Sequence, residues 1–433
     1  MDSSIALVAR PRMAWIGRRL TSWLIAAVFI VLTARLAWFV NRYTVNILYW
    51  DQWDFLAGLF AGADPWTLFR WQHGPQRQGL GNLLIAPIYE ATGWNARADA
   101  AASAVVMVLA AASALWLIKR ISGPLRPWDV VVPLLFLTTT NAESYVVAPN
   151  LAHGPLPLLL LMGYALALTA ESHRVRCAAL VIINFFAVNT GFTLLLGGVT
   201  PALLLVLASA PGVTGRERAI YGAAIAASLA TVALFLTGFV PASATDCFQF
   251  PHDTPWDYVS YAGFVLARPF GFIAGTDVSQ FWVAGSVAIG TAVFVAYVTL
   301  RMLRSKGMSK LWVVACCLGG FTFLFALTSA IGRICLGFPS ANATRYIPYV
   351  IPGMFALYLV IREKAQSSPI AYALLPVFLL ACLVKEHDDL SRNEAVEYSR
   401  YKQRWRDCYR TMPRWTAENR PLIDRAKPAT TSG

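Results

Sequence analysis

The chain has 433 residues, of which 57% are hydrophobic and 14% are charged, and its mean hydropathy is +0.54. A soluble protein of this length needs more charge to cover its surface, so the composition excludes a soluble globular fold. The net charge of +13 does not indicate a nucleic-acid partner, because Lys and Arg stand in short clusters between apolar runs. This distribution is the positive-inside pattern of an all-α protein that crosses a membrane many times.

Apolar runs near membrane-spanning length recur along most of the chain, and they predict about eleven transmembrane helices of roughly 20 residues each. The first run follows a basic N-terminus and lacks a small-x-small cleavage site, which favours an uncleaved span over a signal peptide. The predicted spans are residues 20–40, 98–118, a run that starts near 130, 155–170, 177–187, 192–208, 220–239, 281–303, 311–330, 347–361 and 370–384.

The basic clusters predict the orientation of these spans. If the N-terminus is cytoplasmic, "KRISGPLR", "ESHRVR", "GVTGRER", "RSKGMSK" and "REK" all fall on the cytoplasmic side. The apolar segments 79–89 and 258–273 are short and broken by Gly and Pro, so we interpret them as re-entrant or interfacial helices on the outer side. The segments predicted to share the outer face are 41–95, 140–154, 241–258, 332–346 and the tail after residue 385.

The prediction is therefore one membrane domain, residues 1–385, with a long first outer loop and a polar helical tail, residues 386–433. The tail is too short and too polar to build a core of its own. Cys247 and Cys408 both fall outside the apolar runs, and a disulfide between them is one alternative in an oxidising compartment.

Two carboxylates stand directly after the first span, in "YWDQWDF". Asp51 and Asp54 are three residues apart and share one face if the segment is helical, while the tryptophans beside them suit the interfacial belt. The same loop continues with "WQHGPQR", which adds His73 and Arg77. One alternative is that a loop leaving a membrane is simply polar. The combination of acids, aromatic rings, a His and an Arg instead favours a binding surface at the bilayer edge.

Sugar transfer from a polyprenyl phosphate requires a binding surface of this kind at the membrane interface. The donor is anchored in lipid and its phosphate lies at the interface, while the acceptor hydroxyl or amine is a weak nucleophile. A carboxylate can take the proton of the acceptor as general base, and Arg offers a planar fork to the leaving phosphate. The chain contains no nucleotide-binding loop, in agreement with a lipid-linked donor.

The chain resembles the GT-C class of membrane glycosyltransferases, which carry an acidic motif after the first span and interfacial helices in a long first outer loop. "WDQWD" occupies that position here. A closer resemblance is to a group of poorly characterised bacterial membrane proteins with a Trp-Asp-x-Trp motif, a His–Arg element and a late Gly-Arg…Arg-Tyr element, here "WDQWD", "WQHGPQR" and "GRICLGFPSANATRY". Many GT-C enzymes have adjacent acids, whereas Gln52 and Trp53 separate them here. Which acid is the base, and whether a divalent metal is used, therefore stay open.

The resemblance implies an inverting glycosyltransferase on the outer face of an inner membrane, with a periplasmic C-terminus. Its partners would be a polyprenyl-phosphate sugar, the bilayer, and a glycan, lipid or protein acceptor. Asp51 and Asp54 are the candidate catalytic residues. The candidate substrate-binding residues are Trp50, Trp53, His73, Arg77, Asn150, His153, Arg333, Arg345 and Tyr346.

For several of these residues, a role without a function in substrate binding is an alternative. An Arg at the end of a span often only snorkels to the interface, and Asn150 and His153 fit a hydrated turn equally well. Two other functions also remain as alternatives: a transporter or flippase of a lipid-linked saccharide, and an inactive scaffold of a polysaccharide assembly complex. A transporter usually carries charges in mid-span and shows repeat symmetry, whereas these spans carry few mid-membrane charges, no periodic repeat is evident, and the polar groups cluster on the predicted outer face.

Overall fold

The computed structural model describes residues 5–147, 151–240, 250–275, 277–305, 309–386 and 389–411. Within these ranges the protein is almost entirely helical, and its strands form one two-stranded hairpin, which confirms the all-α class. The helices are α1 Ile5–Tyr43, α2 Gln52–Phe60, α3 Pro65–Phe69, α4 Gly79–Ala91, α5 Ala96–Ser122, α6 Val131–Phe136, α7 Glu143–Val146, α8 Pro155–Leu168, α9 His173–Val188, α10 Leu196–Ala208, α11 Gly215–Leu236, α12 Pro255–Ala267, α13 Val278–Arg304, α14 Lys310–Arg333, α15 Ile347–Lys364, α16 Pro369–Lys385 and α17 Asp389–Thr411; the strands are β1 Gln72–His73 and β2 Gln76–Arg77.

Seven helical segments of the described chain are long and apolar enough to cross a membrane, and the chain is a multi-pass membrane protein. Three shorter apolar helices accompany them. The seven segments are Arg19–Tyr43, Ala96–Ser122, Gly191–Ala208, Gly215–Leu236, Val278–Arg304, Lys310–Leu336 and Thr344–Lys364, and the shorter three are Pro127–Phe136, Pro155–Leu168 and Pro369–Lys385.

The count of eleven spans is not confirmed. Every predicted span overlaps a helix, but five of those helices are short: α6, α8, α9, α10 and α16 have 6, 14, 16, 13 and 17 residues. The 3-10 turn before α10 extends that segment to 18 residues. A single crossing needs about 20 residues at the rise of an α-helix. The run near residue 130 ends early because the chain turns there, where the hydroxyls of Thr138 and Thr140 hydrogen-bond each other at 2.8 Å.

The first loop builds a small apolar core of its own, separate from the large core of the helical bundle. Helices α2, α3 and α4 contribute most of it, and α4 coincides with the predicted segment 79–89. Gly79 is required where α4 meets α3, because a Cβ there would lie 1.9 Å from the carbonyl oxygen of Phe69. The buried side chains of this core are Phe55, Leu56, Phe69, Leu80, Ile85, Tyr89, Leu151 and Leu156.

The segments predicted to share one face do lie together. The first loop reaches the end of α11, where Val240 N donates to Gln72 Oε1 at 3.2 Å. The backbone of Glu143 donates to Thr344 Oγ1 at 3.1 Å, and Arg268 Nε donates to the carbonyl of Asn342 at 2.9 Å. The tail helix α17 packs against α7 and α1 at this same end. We call this end of the bundle the first-loop end; which side of the membrane it faces stays a prediction.

The opposite end holds the basic clusters and a buried ion pair. Asp129 accepts from Arg362 Nε at 2.7 Å and from the hydroxyl of Tyr358 at 2.6 Å. The cysteines correct one alternative from the sequence: Cys335 is disulfide-bonded, whereas Cys408 carries a thiol. The alternative of a Cys247–Cys408 disulfide is therefore wrong, because Cys408 is not in a disulfide. Cys247 lies outside the described residues.

Candidate functional site

The turn before α2 presents Asp51 to solvent. Trp50 has a left-handed backbone with φ of 49°, which is uncommon for a bulky residue, and its ring stacks on Tyr49 with centroids 5.0 Å apart. Asp51 is the N-cap of α2, yet its carboxylate accepts no capping hydrogen bond. Its side chain is 58% exposed. The oxygens of Asp51 are thus not consumed by the helix they begin.

The β1–β2 hairpin brings His73 to Asp51. Gly74 makes the turn with φ of 56°, and the imidazole of His73 stacks on Trp71 with ring centroids 5.5 Å apart. His73 Nε2 lies 3.8 Å from Asp51 Oδ2, which is too long for a hydrogen bond but close enough for an ion pair when the imidazole is protonated. Asp54 is exposed in the first turn of α2, and no ion pair or hydrogen bond joins its side chain to another described residue. The two acids therefore differ in surroundings.

Arg77 belongs to the scaffold of the hairpin. The side chain is buried, and its Nε and Nη2 donate to the carbonyls of Phe235 and Thr237, each at 3.1 Å. Nη1 donates to the carbonyl of Arg70. Burial lowers the pKa of the Arg77 guanidinium, and the charge of Arg70 lowers it further. Because backbone carbonyls already take donors from all three nitrogens, we assign Arg77 to anchoring the hairpin on α11.

Arg345 is held by a buried carboxylate. Glu143, at the start of α7, is 3% exposed, and its Oε2 accepts from the backbone nitrogen of Arg345 at 3.1 Å. Its Oε1 accepts from the guanidinium of the same residue. The side chain of Arg345 stays 25% exposed and lies within electrostatic range of Asp51. The structure makes Glu143 the anchor of Arg345.

Two guanidinium groups flank one aromatic ring. The carbon Cζ of Arg333 lies 5.9 Å from the ring centroid of Tyr346, and that of Arg345 lies 5.6 Å from it. Arg333 makes no ion pair with a described carboxylate. The hydroxyl of Tyr346 is buried and has no hydrogen-bond partner in the described part of the chain. Two cations, one carboxylate and one unsatisfied hydroxyl thus leave an excess of positive charge and a free donor in one place, as an anion site requires.

His153 adds a neutral imidazole beside these cations. Its Nδ1 lies 3.4 Å from Gln78 Nε2, and its ring lies 6.4 Å from that of Phe192, which also contacts Tyr346. Burial lowers the pKa of His153 to about 3, and the charges of Arg345, His73 and Arg333 lower it in the same direction. The imidazole is therefore uncharged near neutral pH and can donate or accept one hydrogen bond.

The structure brings together some of the candidate residues from the sequence and separates the others. A cluster at the first-loop end unites six of them, which we call the charged cluster. Trp50 and Trp53 are about half exposed beside it, Asp54 and Arg77 have the surroundings described above, and Asn150 lies outside the described residues. The six residues of the charged cluster are Asp51, His73, His153, Arg333, Arg345 and Tyr346.

Sequence reasoning missed the contribution of the tail. Tyr398 of α17 packs the edge of its ring against Trp50, with centroids 5.7 Å apart, and Lys402 donates to the carbonyl of Val146 at 3.2 Å. A signal was present, because Ala395, Tyr398 and Ser399 form a narrow uncharged stripe at helical spacing in an otherwise highly charged segment.

Across the described ranges, no group of three or more His, Cys, Asp and Glu side chains is arranged to hold a metal ion, and the use of a divalent metal stays a prediction. No family model matches the chain, and no curated protein matches it significantly.

Proposed function

We propose that the chain is an inverting glycosyltransferase that moves a sugar from a polyprenyl-phosphate donor to a hydroxyl or amine of a glycan, lipid or protein acceptor. One observation carries the proposal. An exposed, uncapped carboxylate, Asp51, lies within electrostatic range of Arg345, which shares one tyrosine ring with a second arginine that has no described carboxylate partner. A base and an anion site are thus adjacent at the end of a membrane bundle.

The chemistry assigns a role to each part of the charged cluster. Asp51 takes the proton of the acceptor as its oxygen or nitrogen attacks the anomeric carbon of the sugar. The bond between that carbon and the phosphate oxygen breaks, and the phosphate leaves with the electron pair. Arg333 and Arg345 stabilise the developing charge, and the hydroxyl of Tyr346 donates to a phosphate oxygen. Attack opposite the leaving group inverts the anomeric configuration.

His73 and His153 support this arrangement in different ways. His73 stands 3.8 Å from Asp51 and orients the carboxylate when it is protonated. His153 is neutral and suits a hydrogen bond to a sugar hydroxyl, since it adds no further charge to the anion site. Asp51 is preferred to Asp54 as the base because its carboxylate faces both His73 and Arg345.

The test is sugar transfer from a radiolabelled polyprenyl-phosphate sugar by membranes that contain the full-length chain. Asp51→Asn should lower the rate about 10²- to 10⁴-fold, the usual contribution of a general base. Asp54→Asn is the matched control and should stay within a few-fold of the parent. An equal loss in the two variants, or a loss confined to Asp54→Asn, would overturn the assignment of Asp51.

The same membranes distinguish the alternatives. A flippase would move the lipid-linked saccharide across the bilayer without forming a new glycosidic bond, so labelled donor would become accessible on the other side while remaining intact. A scaffold would show neither activity, but its deletion would lower the yield of an assembled polysaccharide.

A further inference from the structure

The tail helix α17 packs against the short segment that carries Asp51. Its buried face consists of Ala395, Ser399 and Lys402, which are at most 5% exposed, while Arg400 and Arg404 of the opposite face are exposed. These buried positions follow the spacing of one helical stripe. More than 330 residues of chain separate the tail from its contact in the first loop, so the docking is a property of the folded protein.

Two contacts of α17 bracket Asp51. On one side, the ring of Tyr398 meets the ring of Trp50 edge to face, at 5.7 Å and 79°. On the other side, Lys402 Nζ lies 3.5 Å from Oε1 of Gln52, an oxygen that also accepts from the backbone nitrogen of Tyr49 at 3.1 Å. The residues immediately before and after Asp51 are thus both held by the tail.

Lys402 is buried and is held in place by polar contacts with the bundle. It is 1% exposed and donates to the carbonyl of Val146 at 3.2 Å. Burial lowers the pKa of Lys402 to about 8, and the opposing charge is that of Asp99, a fully buried residue of α5 that also faces Gln52. The contacts of Lys402 with Gln52 and with the carbonyl of Val146 hold the tail helix on the first-loop end of the bundle.

We propose that α17 is part of the site, and that Tyr398 and Lys402 are positioning residues that hold Trp50 and Gln52 and thereby set the place of Asp51. The backbone of Trp50 supplies the physical reason. A bulky residue with positive φ persists only where its surroundings over-determine it. Without Tyr398 and Lys402 the segment relaxes toward negative φ at Trp50, and the carboxylate of Asp51 moves away from His73.

The test measures the segment directly, by hydrogen exchange of residues 48–56 in the full-length protein in nanodiscs. Tyr398→Ala and Lys402→Met should speed exchange of this segment about tenfold, the effect of losing a packed aromatic pair or a buried charged contact. Tyr401→Ala and Arg404→Met, on the exposed face of the same helix, are the controls and should leave it unchanged. Tyr398→Phe keeps the ring and should behave like the parent.

The activity readout rests on the proposed function and is kept separate. If sugar transfer is found, Tyr398→Ala should lower kcat and leave KM for the donor unchanged, because Arg333 and Arg345 are untouched. Faster exchange without any detectable transfer in the parent would support the positioning role and count against the proposed function. Unchanged exchange in both Tyr398→Ala and Lys402→Met would overturn the inference. If Lys402→Met fails to fold because the buried carbonyl of Val146 loses its donor, the tyrosine variants decide alone.

Discussion

Each end of the bundle carries an arginine–carboxylate pair whose carboxylate is buried, and the two pairs differ in what surrounds them. Asp129 and Arg362 are both at most 1% exposed, and Asp129 also accepts from the hydroxyl of Tyr358 and the backbone nitrogen of Arg126, both at 2.6 Å. At the first-loop end, Arg345 is 25% exposed and a second arginine has no described carboxylate partner. The pair of Asp129 and Arg362 is enclosed by the protein and has a structural role. At the first-loop end, the positive charge of the second arginine is available to bind an anionic ligand.

The largest expected difference between the two ends is the loss of stability when an arginine is replaced. Arg362→Met leaves Asp129 buried with no cation and should lower the free energy of unfolding by about 3–5 kcal/mol. Arg333→Met is the matched control at the other end and should change stability by no more than about 0.5 kcal/mol. Thermal unfolding of the purified variants in one detergent is the measurement. An equal loss of free energy of unfolding in the two variants would contradict the distinction between a structural arginine at one end and a ligand-binding arginine at the other.

A smaller effect is expected when the anchor of Arg345 loses its charge. Glu143→Gln keeps the shape of the side chain but removes a charge-assisted bond of about 1.5–3 kcal/mol. The guanidinium of Arg345 should then lose its fixed position, and kcat/KM for sugar transfer should fall by about one to two orders of magnitude. Asp129→Asn is the comparison, and it should reduce stability more than catalysis. A Glu143→Gln protein with the kinetics of the parent would show that Arg345 needs no anchor.

The smallest effect concerns acid sensitivity at the first-loop end. Burial lowers the pKa of His153 from its ordinary value of 6.5 to about 3 in the fold. The unfolded chain therefore binds a proton at this residue below about pH 6.5 that the folded chain does not, and stability falls as the pH drops from there toward 3. His153→Gln should flatten this part of the stability profile and leave the profile above pH 7 unchanged. A variant with the acid sensitivity of the parent would contradict the neutral state of His153.

The sequence predicted the architecture more completely than it predicted the site. Apolar runs have a period and a length, so each predicted span overlaps a helix, and the segments 79–89 and 258–273 overlap α4 and α12. The span count is not confirmed because α6 and α8 are apolar but short, and a run of apolar residues does not reveal where the chain turns. Basic clusters likewise indicated which connections share an end of the bundle.

The site depends on contacts between distant residues, which a single sequence does not contain. "WQHGPQR" indicated that His73 and Arg77 matter, but nothing in it distinguishes an imidazole that faces Asp51 from a guanidinium consumed by backbone carbonyls. The partner of Arg345 stands 202 residues away along the chain. Glu143 had the residue type of a catalytic acid, and its burial against Arg345 makes it an anchor instead.

The most direct test of the account is binding of a polyprenyl phosphate to the purified full-length protein in nanodiscs. The parent should bind it, and Arg333→Gln should weaken binding at least tenfold, because one charge-assisted hydrogen bond to the phosphate is lost. Lys310→Gln, which removes a cation from the opposite end, should bind like the parent. Binding that is unchanged in Arg333→Gln, or lost equally in Lys310→Gln, would contradict the claim that Arg333 and Arg345 form the anion site.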